Sequence, residues 1–389
     1  MQRIQIDLIA AARPNFMKVA PLFHALHAEP WCQLRLVHTG QHYDRNMSDA
    51  FFRDLNLPHP DVHLGVGSGS HAEQTAHVML AYAGACNVDK PDLLVVVGDV
   101  NSTVACALVG SKLHIPVAHL EAGLRSRDRR MPEEINRLVT DTLADILWTP
   151  SPDGDANLAA EGVAATKITR VGNIMIDSYV LLRERIDASG ERRRLGLRDR
   201  GYAVVTLHRP SNVDAPAPLR ELVRQLTRVA KRLPLVFPVH PRTRKNLEAF
   251  GLWTELVRAP GIQVMEPLGY VDFMNLVCGA RLAITDSGGI QEETTYLDIP
   301  CLTLRTTTER PITLTEGTNR LLGSGELVPA VDDVLGGRWP HGRKPELWDG
   351  HTAARVVADI KRRLLVTTAT GDRDAVAVAT RNQSALDNA

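Results

Sequence analysis

Short runs of apolar residues alternate with longer amphipathic stretches along most of the chain. In the first half the apolar runs are rich in Val, Ile and Leu and end in polar or glycine residues: 4–10, 34–40, 93–99, 116–123 and 145–151. Between them, apolar residues recur at helical spacing in residues 17–28, 72–86 and 101–113. Such runs are typical of buried parallel strands, so the first half is predicted to form a parallel sheet covered by helices.

The alternation stops near residues 172–200, which predict a helix followed by a charged connector, and then starts again. The second series of predicted strands comprises residues 202–208, 234–240, 262–268, 280–289 and 300–305. Residues 340–348 are predicted to form a loop, and residues 351–366 a last helix that could cross back to the first series. Two such series indicate two similar α/β domains that face each other across a cleft.

Length and composition agree with this organisation and reduce the number of possible function classes. The 389 residues favour two domains, and the 45 Lys and Arg residues balance 45 Asp and Glu residues. A neutral chain lacks the net basic charge of most duplex-binding proteins, so we expect no nucleic-acid partner, although a small anion can still bind locally. The five cysteines include no CxxC pair, and no segment reaches the ~18 continuous apolar residues of a membrane span. We expect a cytoplasmic protein with no disulfides, no signal peptide and no membrane contact.

Ligands of open parallel sheets bind at the carboxyl ends of the strands, so polar residues at predicted strand ends are the first candidates. Asp99 and Glu121 each follow a buried strand, and Glu133 and Glu134 open a helix. Acidic residues in a first helical turn complement the helix dipole, so Glu134 is assigned a structural role. Asp99 alone could also be an ordinary part of a strand-to-helix turn. Three carboxylates from nearby loops are harder to explain by stability, and such a cluster suits proton transfer at an unactivated carbon.

The turn TDSGGIQEE predicts a phosphate site at the start of a helix. Gly288 and Gly289, after Ser287, allow close approach to the backbone, and the free N–H groups of a helix N-terminus attract a phosphate. The SGG sequence alone is a weak signal. Glu293, one turn later, could bind sugar hydroxyls, and Arg310 could pair with a pyrophosphate through charge-assisted hydrogen bonds.

Other candidates lie beside the predicted cleft. Arg13 and Lys18 flank the first strand-to-helix turn, where they could serve the same anion or be solvated surface charge. His208 and Arg209 follow the first strand of the second domain and could meet a diphosphate. Phe273 is a core residue by default, but an aromatic side chain at the cleft could stack on a nucleobase. The sequence contains no Walker, GxGxxG, GxSxG or HExxH motif, so ATP hydrolysis and NAD-dependent chemistry lack their usual signatures.

Taken in order, seven motifs resemble the UDP-N-acetylglucosamine 2-epimerases of the non-hydrolysing type: RPNFMKVAPL, TGQHYD, GDVNST, HLEAGLRS, MPEEINR, DSGGIQEE and TTTERP. The resemblance runs from about residue 3 to 365 and implies two Rossmann-like domains in the glycosyltransferase-B arrangement. The predicted domains are residues 1–172, with the catalytic carboxylates, and 173–350, which bind UDP. The helix 351–366 follows, and the polar, small-residue-rich segment 367–389 is predicted to be a disordered tail.

The resemblance implies that a homodimer interconverts UDP-GlcNAc and UDP-ManNAc with no cofactor and no catalytic metal. A base removes the proton on sugar carbon 2 as UDP leaves carbon 1, which gives a 2-acetamidoglucal. Return of a proton to the other face and re-addition of UDP complete the inversion. Several carboxylates are needed because both faces of one carbon are served, and anion-binding groups are needed to stabilise and retain UDP. The product of the family usually enters surface polysaccharide.

The resemblance also implies roles for single residues. Asp99, Glu121 and Glu133 match the acid/base carboxylates, although spacing does not decide which face each one serves. His208 matches a group that contacts the nucleotide sugar and stabilises the leaving UDP. The other matches are contacts to the base, ribose, diphosphate or sugar: Arg13, Lys18, Leu268, Phe273, Ser287, Gly288, Gly289, Glu293 and Arg310. Among these, Phe273 is expected beside the uracil, which the backbone near Leu268 reads.

Departures from the family pattern keep alternatives open. Some members bind a second UDP-GlcNAc as an activator, and Gln41, Arg209 and His240 match parts of that allosteric site. The short loop 126–131 and the sequence HRPSNVD put this regulation in doubt. A UDP-2,3-diacetamido sugar or its uronate is an alternative substrate, and hydrolysis to ManNAc and UDP is an alternative reaction. A retaining glycosyltransferase or a catalytically inactive UDP-sugar sensor fits less well, because all three carboxylates are present.

Overall fold

The computed structural model of the chain describes residues 3–11, 13–40 and 55–366. Three features predicted from the sequence lie outside the described residues. These are Gln41, the proposed tail at 367–389 and the side chain of Arg13, whose backbone begins the first helix.

Two parallel sheets form the framework, as predicted for a pair of Rossmann-like domains. The first has seven strands in the order β3-β2-β1-β4-β5-β6-β7, and the second has six in the order β10-β9-β8-β11-β12-β13. The strands are β1 Ile4–Ala10, β2 Cys32–His38, β3 Val62–His63, β4 Leu93–Val97, β5 Val117–Leu120, β6 Ile146–Thr149, β7 Ile168–Arg170, β8 Ala203–Thr206, β9 Leu235–Pro238, β10 Ile262–Met265, β11 Leu282–Thr285, β12 Cys301–Thr303 and β13 Asn319–Leu321.

Helices connect nearly all the strands. They are α1 Arg13–His27, α2 His71–Val88, α3 Asn101–Lys112, α4 Pro132–Leu143, α5 Pro152–Ala160, α6 Ile174–Ala188, α7 Glu191–Arg194, α8 Pro210–Val213, α9 Pro216–Ala230, α10 Pro241–Ala249, α11 Trp253–Arg258, α12 Tyr270–Gly279, α13 Gly288–Tyr296, α14 Ile312–Thr315, α15 Leu327–Leu335 and α16 Thr352–Ile360, which a π-helical segment, Lys361–Val366, extends. Short 3₁₀ turns are Ala165–Lys167 and Ser324–Glu326. No helix among the described residues is long and apolar enough to cross a bilayer.

Each sheet is buried on both faces, which explains why its strands are apolar without alternation. In β1, Ile6 and Leu8 belong to one buried cluster with α1, α6 and α16, whereas Ile9 belongs to another with α2 and α3. In β8, Val204 and Val205 likewise point into two different clusters. The ten predicted strands are confirmed, with shorter or shifted ends. All five cysteines are free thiols.

The last helix returns to the first domain. Helix α16 packs against α1, and Trp148 of β6 donates a hydrogen bond of 2.9 Å from Nε1 to Oδ2 of Asp359. At the other end of α16, the carboxylate of Asp177 in α6 accepts the backbone N–H groups of Thr352 and Ala353. Helix α16 is therefore fixed to the first domain through α1 and Trp148, and to helix α6 through Asp177.

Candidate active site

A cleft of about 890 Å³ lies where the carboxyl ends of both sheets meet. The first sheet and its helices contribute residues that follow β1 and β4 or begin α4, and the second contributes residues that follow β8 or belong to α12 and α13. The structure brings together most of the residues predicted from the sequence: Lys18, Asp99, Glu133, His208, Arg209, Phe273, Ser287, Gly288, Gly289, Glu293 and Arg310. The cleft therefore combines carboxylates of one domain with phosphate-binding features of the other.

Three further candidates do not line the cleft. Glu121 is buried behind Lys18. Leu268 is half-buried and packs against the core. His240 caps α10, and its ring centroid lies 5.5 Å from that of His208. Among the described ranges, no three His, Cys, Asp or Glu side chains are grouped so that they could hold a metal ion.

Glu121 and Lys18 form an ion pair at the edge of the first sheet. The Glu121 side chain is 3% exposed, and its Oε2 pairs with Lys18 Nζ, whereas its Oε1 is buried without a hydrogen-bond partner in the described parts of the chain. Burial lowers the pKa of Lys18, but the carboxylates of Glu121 and Asp99 outweigh burial and raise it, so the ammonium stays charged. Gly98 makes this approach possible, since an added Cβ would lie 3.2 Å from Oε2 of Glu121.

The backbone of Glu121 has a φ of +73°, in the left-handed region. A residue other than glycine adopts this conformation at a cost of about 1–3 kcal/mol, and such strain collects at functional sites. In this backbone conformation the side chain of Glu121 points towards Lys18, with which it forms the ion pair.

Asp99 is oriented by Arg137, which sequence reasoning missed. Arg137 is 1% exposed and pairs with the carboxylates of Asp99 and Glu134 at once. Glu134 also accepts the backbone N–H groups of Ser126 and Arg127, at 2.9 and 2.8 Å. Burial raises the pKa of Glu134, but these bonds and Arg137 outweigh it and lower the pKa. Glu134 therefore holds the preceding loop, in line with its assigned structural role. The signal for Arg137 was its place one turn after Glu134.

His208 is held by Asp286, a fully buried carboxylate after β11. Nδ1 of His208 lies 2.9 Å from Oδ1 of Asp286. The same carboxylate accepts the backbone N–H of His208 at Oδ1 and that of Arg209 at Oδ2. Burial raises the pKa of Asp286, but the His208 ring and the other donors outweigh it and lower the pKa. The imidazole, which lines the cleft, is thus fixed through one of its two nitrogens.

The N-terminus of α13 lies against Arg310. A Cβ on Gly288 would lie 2.8 Å from Nη1 of Arg310 and 3.0 Å from Oε1 of Glu309, so only glycine permits this contact. Arg310 is 6% exposed and pairs with Glu292 at 2.8 Å and Glu309 at 2.6 Å. Backbone N–H groups at a helix N-terminus and a guanidinium are both able to bind an anion such as a diphosphate.

Two adjacent carboxylates on α13 lie deeper. Glu293 accepts a hydrogen bond of 2.7 Å from the hydroxyl of Tyr270, and burial raises the pKa of Glu293 to about 8. Glu292, which sequence reasoning missed, accepts the side-chain amide of Asn173 at 2.9 Å. Burial raises the pKa of Glu292, and the charge of Glu121 adds to this effect, although Arg310 opposes it. The EE pair of the motif was the available signal.

Known proteins share this architecture. Residues 24–361 match the family model described as UDP-N-acetylglucosamine 2-epimerase. The chain is 41% identical over 342 residues to the UDP-N-acetylglucosamine 2-epimerase of Methanocaldococcus jannaschii, with 85% of this chain and 92% of that protein covered. It is 40% identical over 339 residues to the UDP-2,3-diacetamido-2,3-dideoxy-D-glucuronate 2-epimerase of Pseudomonas aeruginosa, with 86% and 93% covered. The crystal structure of the M. jannaschii enzyme in complex with UDP-GlcNAc and UDP is similar, with a TM-score of 0.85 at 38% identity over 92% of this chain and 100% of that chain.

Proposed function

The chain belongs to the UDP-N-acetylglucosamine 2-epimerase family, and from this premise we propose that it is an isomerase that converts UDP-GlcNAc reversibly to UDP-ManNAc. One observation carries the proposal: the carboxylates Asp99 and Glu133 of the first domain share a cleft with the anion-binding groups His208 and Arg310 of the second. A cleft of about 890 Å³ is within the usual range of small-molecule sites.

In the proposed reaction, a carboxylate takes the proton from carbon 2 of the sugar. The C–H electron pair becomes the C1=C2 double bond of a 2-acetamidoglucal, and the electron pair of the C1–O bond leaves with UDP. For the return, a second acidic group delivers a proton to the opposite face of carbon 2 while a β-phosphate oxygen attacks carbon 1. Asp99, Glu121 and Glu133 are the proposed acid/base set, because two faces of one carbon need more than one group.

The second domain would hold UDP as it departs and returns. We propose that His208, fixed by Asp286, donates to the diphosphate, and that Arg310 and the N-terminus of α13 neutralise its charge. Phe273 lines the cleft as the proposed neighbour of the uracil. Groups fixed in this way by buried partners need little reorganisation as charge develops on the leaving group.

We further propose that the enzyme works in the cytoplasm as a homodimer and supplies surface polysaccharide. Helix α2 supports the dimer, since Leu80 and Val88 on it are 73% and 89% exposed and a second copy could cover them. Light scattering should give twice the mass of one chain, and Leu80→Glu should lower it if this face is the interface.

The test is incubation with UDP-GlcNAc in deuterium oxide, followed by analysis of all products. We expect an equilibrium mixture with UDP-ManNAc and deuterium at carbon 2. Free UDP that accumulates in proportion to ManNAc would instead identify a hydrolysing enzyme. Epimerisation without deuterium at carbon 2 would exclude the elimination mechanism.

A second substrate is supported by the P. aeruginosa relative. Its 40% identity nearly equals the 41% of the M. jannaschii enzyme, so identity does not separate a UDP-2,3-diacetamido uronate from UDP-GlcNAc. Measuring kcat/KM for both compounds decides between them. We expect UDP-GlcNAc to be turned over faster; a higher kcat/KM for the uronate would assign the chain to the second substrate.

A further inference from the structure

His119, on β5, is fully buried and has both ring nitrogens against oxygen atoms. Nδ1 lies 2.6 Å from Oδ1 of Asp141, and Nε2 lies 2.8 Å from the carbonyl oxygen of Gly98. A carbonyl oxygen and an ionised carboxylate only accept hydrogen bonds, so both ring nitrogens have to donate. A ring with a single hydrogen would leave one of these close contacts unsatisfied unless Asp141 carried the other proton.

The surroundings of Asp141 favour its ionised form. Its Oδ2 lies 2.7 Å from Nη1 of Arg125 and accepts the backbone N–H of Gly123 at 3.0 Å. Burial raises the pKa of Asp141, but His119, Arg125 and Gly123 outweigh burial and lower it. The carboxylate therefore accepts from the imidazole, and the pair is a charge-assisted hydrogen bond inside the first domain.

This pair joins the three segments that carry the proposed acid/base carboxylates. The carbonyl that His119 binds belongs to the residue directly before Asp99. His119 itself stands two residues before Glu121 on β5 and its turn. Asp141 lies on α4, the helix whose first turn contains Glu133. One buried contact thus connects the ends of β4 and β5 with α4.

The pair of His119 and Asp141 also contacts the chain on both sides of the strained residue Glu121. Glu121 has a φ of +73°, a conformation that persists only where its surroundings fix it. The carboxylate of Asp141 binds the ring of His119, two residues before Glu121. It also accepts the backbone N–H of Gly123, two residues after Glu121. The two hydrogen bonds therefore restrain the turn that aims the side chain of Glu121.

We propose that His119 and Asp141 are positioning residues for the epimerisation, which fix Asp99, Glu121 and Glu133 relative to one another. Neither residue lines the cleft, so their effect passes through the carboxylates. This inference rests on the proposed function of the same site, and the experiments below separate the two.

The kinetic test compares His119→Gln and Asp141→Asn with the wild type. Both should lower kcat on UDP-GlcNAc about 100-fold, since displacement of catalytic groups by about 1 Å has that effect. The Kd of UDP, measured by calorimetry, should stay within about two-fold, because the proposed UDP-binding groups lie on the other domain. A purely structural role would not produce this split between kcat and UDP affinity.

Asp7→Asn is the matched control. Asp7 is also a fully buried carboxylate of the first sheet, bound to Arg35 at 2.7 Å and to the hydroxyl of Tyr82 at 2.9 Å, but it does not line the cleft. This variant should lose stability while its folded form keeps kcat. Wild-type kcat in His119→Gln and Asp141→Asn, or equal losses of kcat in Asp7→Asn, would overturn the proposal.

A measurement on the wild type covers the case in which the variants do not fold. Nitrogen NMR of labelled wild-type protein should show hydrogen on both ring nitrogens of His119 at the assay pH, with the ring signals assigned through their own backbone resonances. One bare nitrogen would overturn the positioning pair. If the wild type does not turn over UDP-GlcNAc, the proposed function fails, but NMR still decides whether the pair exists.

Discussion

At the scale of single residues, Glu121 and Lys18 form an ion pair that is almost fully buried beside the cleft. The ammonium supplies the opposite charge, and the second carboxylate oxygen has no hydrogen-bond partner among the described residues. A buried polar atom without a partner costs free energy, so a group that donated a hydrogen bond to this oxygen would remove that cost.

Glu121→Gln should abolish most of the epimerisation. The amide has nearly the shape of the carboxylate but cannot take a proton, so we expect kcat to fall at least about 100-fold while UDP binding stays unchanged. Asp99→Asn should behave similarly. Deuterium incorporation at carbon 2 of UDP-GlcNAc is the measurement. Glu248→Gln, which changes a surface carboxylate paired with Arg244, is the control and should keep wild-type activity. Full turnover in both active-site variants would contradict the assignment.

Glu293 should make stability fall as pH rises. Burial raises the pKa of Glu293 to about 8, so between about pH 4.5 and 8 the folded protein keeps a proton that the unfolded chain releases. The folded state binds more protons in this window, and the free energy of unfolding therefore decreases with pH.

Glu293→Gln removes this titration. The free energy of unfolding should therefore fall by about 1–3 kcal/mol less between about pH 4.5 and 8 than in the wild type. Urea unfolding at both ends of the window measures it. Glu248→Gln, at an exposed carboxylate, is the control and should keep the wild-type dependence of the free energy of unfolding on pH. If Glu293→Gln also kept the wild-type dependence, the expectation would be wrong.

Residues that face the cleft were easier to identify from the sequence than the buried partners that orient their side chains. Asp99, His208 and Arg310 follow strands or lie in motifs, so chain position was sufficient. Asp286 belonged to the predicted strand-end turn, but its contact with His208, 78 residues away, was not predicted. Neither was the contact of Arg137 with Asp99, 38 residues away. Such pairs arise from packing between elements, and hydrophobic periodicity carries no information about them.

At the scale of elements, strand ends illustrate the same limit. The predicted strand 202–208 ends at Thr206, because the N–H groups of His208 and Arg209 donate to the side chain of Asp286 instead of a neighbouring strand. Apolar composition continues past the point where the backbone leaves the sheet. The short strands β3, β7 and β13 were not predicted, since two or three residues are too few to show a period.

Helix α13 provides a test of the phosphate site. Gly288→Ala would place a Cβ 2.8 Å from Nη1 of Arg310, which is held by two buried carboxylates and cannot move freely. We expect the Kd of UDP to rise about 10-fold or more, as loss of one charged hydrogen bond implies. Gly84→Ala in α2, where nothing lies within 4 Å of the added Cβ, is the control and should bind UDP normally. An unchanged Kd in Gly288→Ala would place UDP elsewhere.

At the scale of the whole molecule, the neutral net charge conceals an uneven distribution. The cleft gathers cations such as Lys18, Arg137 and Arg310 beside carboxylates such as Asp99 and Glu292, and most of them are paired. Composition made a polyanion partner an unfavoured expectation but could not show that both signs meet at one place. The two-domain organisation was predictable because buried strands of parallel sheets are apolar throughout.

The stability of the first domain depends on helix α16, residues Thr352–Ile360. Ile360 is fully buried in the cluster that also contains Ile6 and Leu8 of β1. Ile360→Ala should therefore lower the free energy of unfolding by about 2–5 kcal/mol, the usual cost of such a cavity. Ala358→Ser, on the exposed side of the same helix, should cost less than about 1 kcal/mol. Because α16 and β1 share one cluster, calorimetry of Ile360→Ala should show the whole first-domain transition shifted to lower temperature. A separate early transition with an unchanged main one would mean that α16 unfolds without affecting the first sheet.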